Sequence, residues 1–351
     1  MTVSDAQAVD LLSEMLRVQS LSGQEDELAG FLLRWMREVG FEAAQDEVGN
    51  VVGDRSGPLT SRRVVILGHM DTVPGFIPVE QRDGKLYGRG AVDAKGPLAT
   101  ALVAAARSAP ALQITVIGAV QEEGPSAGAR HLAGRPAPDY LIIAEPSGWD
   151  SLVLGYKGSQ RFTVRLSQPS GHTAGPEPTA SERAVAFWND LVAWCQQRSE
   201  GNGASRGSFT HLTPTLIGMG SQSDGLHDVA TMHVGLRLPP GLTPKGVREE
   251  VQSLLPAGQF EFCQGEPAVR GEKSGPLVAS FLRSIRDEGG APRFKLKTGT
   301  SDMNIVGPAW GCPMLAYGPG DSRLDHTPEE HLTVDEYLRA IRVLTRVLEE
   351  L

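Results

Sequence analysis

Apolar positions repeat with two different periods, and the change of period divides the chain. Residues 4–19 and 24–39 repeat every three to four positions, as amphipathic helices do, and Gly40 is placed to stop the second. The runs 62–69 (RRVVILGH), 113–120 (QITVIGAV) and 140–145 (YLIIAE) are short and almost continuously apolar, as buried strands are. Between the first two, 94–109 (AKGPLATALVAAARSA) reads as a helix. Strands alternating with helices predict an α/β sheet covered on both faces.

Near residue 158 the pattern changes. Residues 159–167 (SQRFTVRLS) alternate Phe162, Val164 and Leu166 with polar positions, which is the period of a half-buried strand. A helix is expected over 179–197, with Thr179 or Ser181 as its N-cap. Strands at 212–218 and 227–238, a helix at 243–254 and a strand at 259–263 complete a β-α-β-β-α-β order, which reads as a ferredoxin-like layer. Helix–strand alternation resumes near 270 and ends in a helix at 333–350. The domains expected are therefore 1–157 with 265–351, and an insert at 158–264. Composition makes 199–208 a flexible loop.

The chain has 351 residues, enough for two cores, with 40% hydrophobic and 21% charged residues. No apolar run approaches the ~18 residues that span a bilayer, and the N-terminus lacks the basic and apolar regions of a signal peptide. Cys195, Cys263 and Cys312 are few, odd in number and far apart, which fits a reducing cytoplasm. A net charge of −9 argues against nucleic acid as a partner. No membrane association is expected.

Candidate chemistry collects at the ends of the apolar runs. In GHMDTVP (68–74), His69 and Asp71 stand two apart at the exit of a strand, so their side chains share a face. Asp93 lies in GRGAVDAKGP, Glu122 and Glu123 follow the strand 113–120, Glu145 follows the strand ending in Ile142-Ile143-Ala144, and His326 precedes the last helix. Each alone suits a cap or a surface carboxylate. Together, two histidines and several carboxylates suit zinc. Five ligands with one bridging carboxylate give three to each of two metals, and one free neighbour can serve as general base. The Glu122–Glu123 pair offers one of each.

The motifs GHMDTVP, GRGAVDAKG, QEEGPSAGA, AEPS and DHTPEE, with SGHTA in the insert, occur in this order and resemble the M20 family of metallo-hydrolases. The resemblance covers nearly the whole chain. It implies an α/β zinc-peptidase-like catalytic domain with helices on both faces of a mixed sheet, and an inserted ferredoxin-like domain that makes a homodimer. It implies two divalent metals, zinc or cobalt. His69, Asp93 and Glu145 would hold one, and Asp93, Glu123 and His326 the other. Asp71 would orient His69, Glu122 would be the general base, and the peptide bond after Asp93 would be cis. His172 would reach the partner subunit's active site and stabilise the oxyanion. Arg237 would pair with a substrate carboxylate, and the turn Thr298-Gly299-Thr300 would line the substrate pocket. His227 and Asp228 depart from the family pattern and have no assigned role.

Chain length and KTGTSDMN (297–304) most resemble the members that release lysine or ornithine from the amino-group carrier protein LysW in lysine and arginine biosynthesis. An N-acetyl-ornithine or N-acetyl-lysine deacetylase, a dipeptidase or carboxypeptidase, and a non-catalytic binding relative are the alternatives. Residues 293–300 read as a strand with Arg293, Lys295 and Lys297 on one face. That stripe is either a solvated edge or a docking surface for an acidic carrier.

Overall fold

The structure is a computed structural model that describes residues 3–57, 59–172, 174–200, 205 and 207–351. It divides into two compact units. The larger holds Met1–Gly155, Arg270–Lys295 and Ser301–Leu351, and the smaller holds Tyr156–Val269 and Leu296–Thr300. The insert expected at 158–264 thus begins at Tyr156 and runs to Val269, and the short segment 296–300 joins it from a distant part of the sequence.

The larger unit begins with helices α1 (Asp5–Arg17) and α2 (Asp26–Glu38) and strands β1 (Glu42–Gln45), β2 (Val51–Arg55) and β3 (Leu59–His69). Strands β4 (Glu80–Arg82) and β5 (Lys85–Tyr87), helix α3 (Lys95–Arg107), β6 (Leu112–Ala119), α4 (Ala127–Ala133), β7 (Tyr140–Ile143) and β8 (Ser151–Tyr156) follow. The smaller unit then runs β9 (Gly158–Pro169), α5 (Ala180–Glu200), β10 (Thr213–Ser223), β11 (His227–Leu238), α6 (Pro244–Leu254), β12 (Gln259–Phe262). The chain returns through β13 (Val269–Arg270), α7 (Pro276–Asp287), β14 (Arg293–Lys297), α8 (Met303–Trp310), β15 (Met314–Ala316), β16 (His331–Thr333) and α9 (Val334–Glu350).

The main sheet has the order β1-β2-β6-β3-β7-β15-β8-β13, with β14 also paired to β8. It is mixed. Strands β6, β3, β7 and β15 run parallel, whereas β1, β2 and β8 pair antiparallel with their neighbours. The parallel centre explains the unbroken apolar runs, since both its faces are covered. Helix α3 is buried along nearly its whole length, which its Ala- and Leu-rich sequence permits, and it joins one core with α1, α7 and α9. A second, short sheet, β16-β5-β4, lies outside this core sheet. The peptide bond Asp93–Ala94 is cis.

The smaller unit is a four-stranded antiparallel sheet of order β10-β11-β9-β12. Phe162, Val164, Leu166 and alternate residues of β11 pack with α5 and α6 into its own core. Thr179 is the N-cap of α5: its hydroxyl accepts from the Glu182 N–H while the Glu182 carboxylate accepts from Thr179 N–H, a capping box. Half of the loop expected over 199–208 lies outside the described residues, and its first two residues belong to α5. Strand β14 stops at Lys297, three residues short of the expected end.

Candidate metal centre

Three parallel strands deliver their chemistry to one edge. His69 ends β3 and is registered opposite Ala119, the last residue of β6. Glu122 and Glu123 therefore follow β6 beside it. Leu67 pairs with Ile143 at the end of β7, which leads directly to Glu145. The crevice beyond the carboxyl ends of such strands is where open α/β sheets place their sites. Asp93 arrives on the glycine-rich turn before α3. Gly90 has φ +89° there, and a Cβ on it would stand 2.9 Å from Thr72 Cγ2, so both backbone and space demand glycine. His326 arrives on the loop before β16.

The donor atoms form two sets. His69, Asp93 and Glu145 make one, and Asp93, Glu123 and His326 the other, with ligand atoms in each set lying within 4.8 Å of one another. Asp93 belongs to both. Its Oδ1 is 3.2 Å from His69 Nε2, and its Oδ2 is 3.0 Å from His326 Nε2. His69 Nε2 is also 3.7 Å from Glu145 Oε1, and His326 Nε2 is 2.7 Å from Glu123 Oε1.

Asp71 sits behind this centre, fully buried. His69 Nδ1 lies 2.9 Å from its carbonyl oxygen and 3.4 Å from its carboxylate, so that nitrogen donates and Nε2 is the ring nitrogen left to act as a ligand. The Asp71 carboxylate also accepts the backbone N–H of Glu122 and of Glu123, each at 3.0 Å, and the Ser22 hydroxyl at 2.6 Å. One residue thus sets the tautomer of a histidine and the shape of the turn that carries two carboxylates.

The electrostatics fit cations of two positive charges. Burial works against a charged His69, but its hydrogen bonds to Asp71 and Asp93 outweigh that and raise its pKa well above the ordinary value. Hydrogen bonds to Asp93 and Glu123 hold His326 up at about 10. Asp93 would be raised by burial, yet the two histidines hold it well below the usual carboxylate range. Burial pushes Glu122 well above its ordinary value; His69 opposes this, and the charges of Asp302, Glu145 and Glu123 add to it. The donor set of two imidazole nitrogens and three carboxylates, with one carboxylate common to both groups, suits a metal site.

A model of peptidase family M20/M25/M40 matches residues 65–350. The chain belongs to this family. As an M20 member it is a hydrolase. A LysW-lysine hydrolase of Deinococcus radiodurans is 45% identical to it, covering 99% of this chain and 98% of its own. A protein of Thermococcus kodakarensis provisionally named LysW-lysine/LysW-ornithine hydrolase is 40% identical, covering 99% and 93%. Among solved structures, an M20 family metallo-carboxypeptidase of Sulfolobus solfataricus superposes with a TM-score of 0.77 at 20% identity, covering 98% of this chain and 99% of its own.

The remaining expected residues of the M20 chain fall in the smaller unit. Arg237, at the end of β11, donates to the Thr300 hydroxyl at 2.9 Å, so the arginine and the Thr298–Thr300 turn are neighbours. His172 is exposed, and its Nδ1 accepts the Ala174 N–H. Asp228 accepts from Ser170, just past the end of β9, and His227 is 3.9 Å from Asp224 in the β10–β11 hairpin. The basic stripe on β14 is largely engaged at home. Arg293 pairs with Asp150 at 2.8 Å, and Lys295 donates to the Ser147 carbonyl.

Sequence reasoning did not find the residues that hold the ligand turns. Glu25 accepts the N–H groups of Gly23 and Gln121, Lys95 donates to Met15 and Val18 carbonyls, and Glu330 accepts from three N–H groups around Asp93. Glu330 lay inside the DHTPEE motif. Apart from the Arg89 side chain, its partners are main-chain groups, which no residue type at their positions announces.

Proposed function

We propose that this M20 hydrolase releases lysine, or ornithine, from the C-terminal glutamate of the amino-group carrier protein LysW. The observation that carries the reading is the near-whole-chain match, at 45% identity, to a protein named LysW-lysine hydrolase. His69, Asp93 and Glu145 would hold one divalent ion, and Asp93, Glu123 and His326 the second, with zinc first and cobalt the alternative for these donors. When bound, the ions polarise the scissile carbonyl and make water acidic enough to attack at neutral pH. Glu122 takes the proton of the attacking water and returns it to the leaving amine. Ionic pairing of Arg237 with the carboxylate of the leaving amino acid orients the amide. Amides of the Thr298-Gly299-Thr300 turn support that carboxylate. The smaller unit serves as a ferredoxin-like dimerisation domain, and His172 of one copy donates to the oxyanion formed in its partner. The cytoplasm is the expected compartment.

A small-molecule deacetylase is the second reading. In its favour, Arg293 and Lys295 are tied to this chain's own groups rather than left for an acidic carrier. Hydrolysis of carrier-linked lysine and of N-acetyl-lysine, compared side by side with zinc-loaded protein, decides between them. The expected result is a kcat/KM at least ~10²-fold higher for the carrier-linked substrate, lost to a chelator and restored by metal. The opposite ratio would establish the deacetylase.

A further inference from the structure

The loops that bring Asp93 and His326 leave the same end of one strand pair. Strand β5 ends at Tyr87 and β16 begins at His331, and those two residues are opposite each other. Beyond them neither loop continues the ladder, and the His326 side chain is 48% exposed, so packing does not fix it. A buried ion pair joins the loops at their base. Glu330 is fully buried. Its Oε1 accepts the N–H groups of Gly90, Val92 and Asp93 at 3.1, 3.0 and 3.1 Å. Its Oε2 accepts from Arg89 at 2.7 Å. Arg89 reaches further, to the carbonyls of Thr327 at 3.3 Å and Gly75 at 3.1 Å. The Glu330 carbonyl accepts Gly88 N–H at 3.3 Å.

We propose that Glu330 and Arg89 are positioning residues that lock the bridging carboxylate of Asp93 and the imidazole of His326 at the spacing two cations need. The pair touches no ligand side chain. It acts through the main chain on both sides: three N–H groups set the turn that aims Asp93, while Thr327 and Glu330 anchor the loop that aims His326. Because Asp93 serves both donor sets, loosening the pair weakens both cation positions, and the His326 position more. The inference rests on the two-metal reading above.

The test is cation binding, not turnover. Metal-free protein is titrated with Zn²⁺ by calorimetry and with Co²⁺ by visible absorption, for wild type, Glu330→Gln, Arg89→Met and Arg89→Lys. Glu288→Gln is the control, since Glu288 also pairs with two arginines, Arg342 and Arg346, but far in sequence from any ligand. Wild type is expected to bind two ions. Glu330→Gln and Arg89→Met should weaken the second ion by about 10–100-fold, the usual effect of losing an outer support, with an altered Co²⁺ spectrum. Arg89→Lys, which keeps the charge, should recover part of the loss, and Glu288→Gln should bind as wild type does. A merely structural pair would lower the melting temperature of the metal-free variants while leaving affinity and spectrum unchanged, and that result overturns the proposal. Should Glu330→Gln fail to fold, the two Arg89 variants decide it. Wild type binding fewer than two ions would instead overturn the two-metal reading, and the unmodified protein alone shows that.

Discussion

Glu122 and Glu123 share a turn, and Asp71 holds the backbone N–H of each, yet their carboxylates face different neighbours. Glu123 meets His326 at 2.7 Å and belongs to a donor set; Glu122 belongs to neither. In the proposed mechanism Glu122→Gln removes the base and no candidate ligand. It should keep both ions and lose ~10²–10⁴ in turnover, the worth of a positioned acid–base group. Glu123→Gln should lose the ion at the His326 position. Metal analysis beside kcat separates the two, and equal metal loss in both variants would end the division of roles. The pairing of His69 with Asp71 was legible because side chains alternate along a strand, so positions two apart at its exit meet on one face. Four of the five candidate ligands were legible because each stands at or after a recognisable strand end or glycine turn, and His326 because it lies in the DHTPEE motif before the last helix. Glu330 was not, because it acts on N–H groups some 240 positions away that carry no side-chain signature.

Helix α1 ends where the turn before α3 needs support, and Lys95 joins them. Its buried ammonium donates to Met15 at 3.1 Å and Val18 at 2.7 Å, satisfying carbonyls that a helix C-terminus leaves open. Lys95→Met keeps the bulk and removes the donors, so it should cost about 1–3 kcal/mol of stability. Burial pulls the Lys95 pKa down to about 8 from 10.5, with Glu330 and Asp71 opposing the shift. Its folded value therefore lies below its unfolded one. The penalty of burying the charge is complete below pH 8 and disappears as pH rises toward 10.5, because there the unfolded chain binds the extra proton. The stability difference between wild type and Lys95→Met should widen from pH 7 to pH 10 in denaturant titrations; a constant difference would place the lysine's charge elsewhere. The long elements were readable from the chain: the expected 94–109 is the helix Lys95–Arg107, and 333–350 is Val334–Glu350. The sheet β16-β5-β4 was not, since strands of three residues are too short to show a period, and β14 ends where the glycine turn takes over.

At the scale of the whole molecule, the smaller unit presents an apolar, uncharged edge. Strand β10, TPTLIGMGSQS, lies at the end of its sheet, with β11 as its strand neighbour; Pro214 and an irregularity after Leu216 guard its start, but no charged residue lies along it. Leu216, Ile217 and Met219 are exposed along it, and Leu226 is 74% exposed in the hairpin that follows. Natural edge strands are normally blunted by Lys, Pro or a cover, because bare N–H and C=O groups recruit another strand. A second copy of the same edge, antiparallel across a two-fold axis, supplies a cover with matching apolar side chains. This supports the proposed dimer, and it makes the dimer and the proposed role of His172 separable by experiment. Ile217→Lys with Met219→Lys sets like charges against each other across the axis and should give a monomer by light scattering. Its metal content should stay at the wild-type level, since every ligand lies in the larger unit. If His172 acts in the partner, that monomer should lose about as much turnover as His172→Ala, roughly 10²–10³-fold, the worth of one oxyanion donor. Mixing His172→Ala with Glu122→Gln should then restore activity, because half of the sites in each mixed dimer receive an intact base and an intact donor. A fully active monomer would exclude the partner's histidine, and exchanged subunits without recovery would count against a role for His172 in the partner subunit.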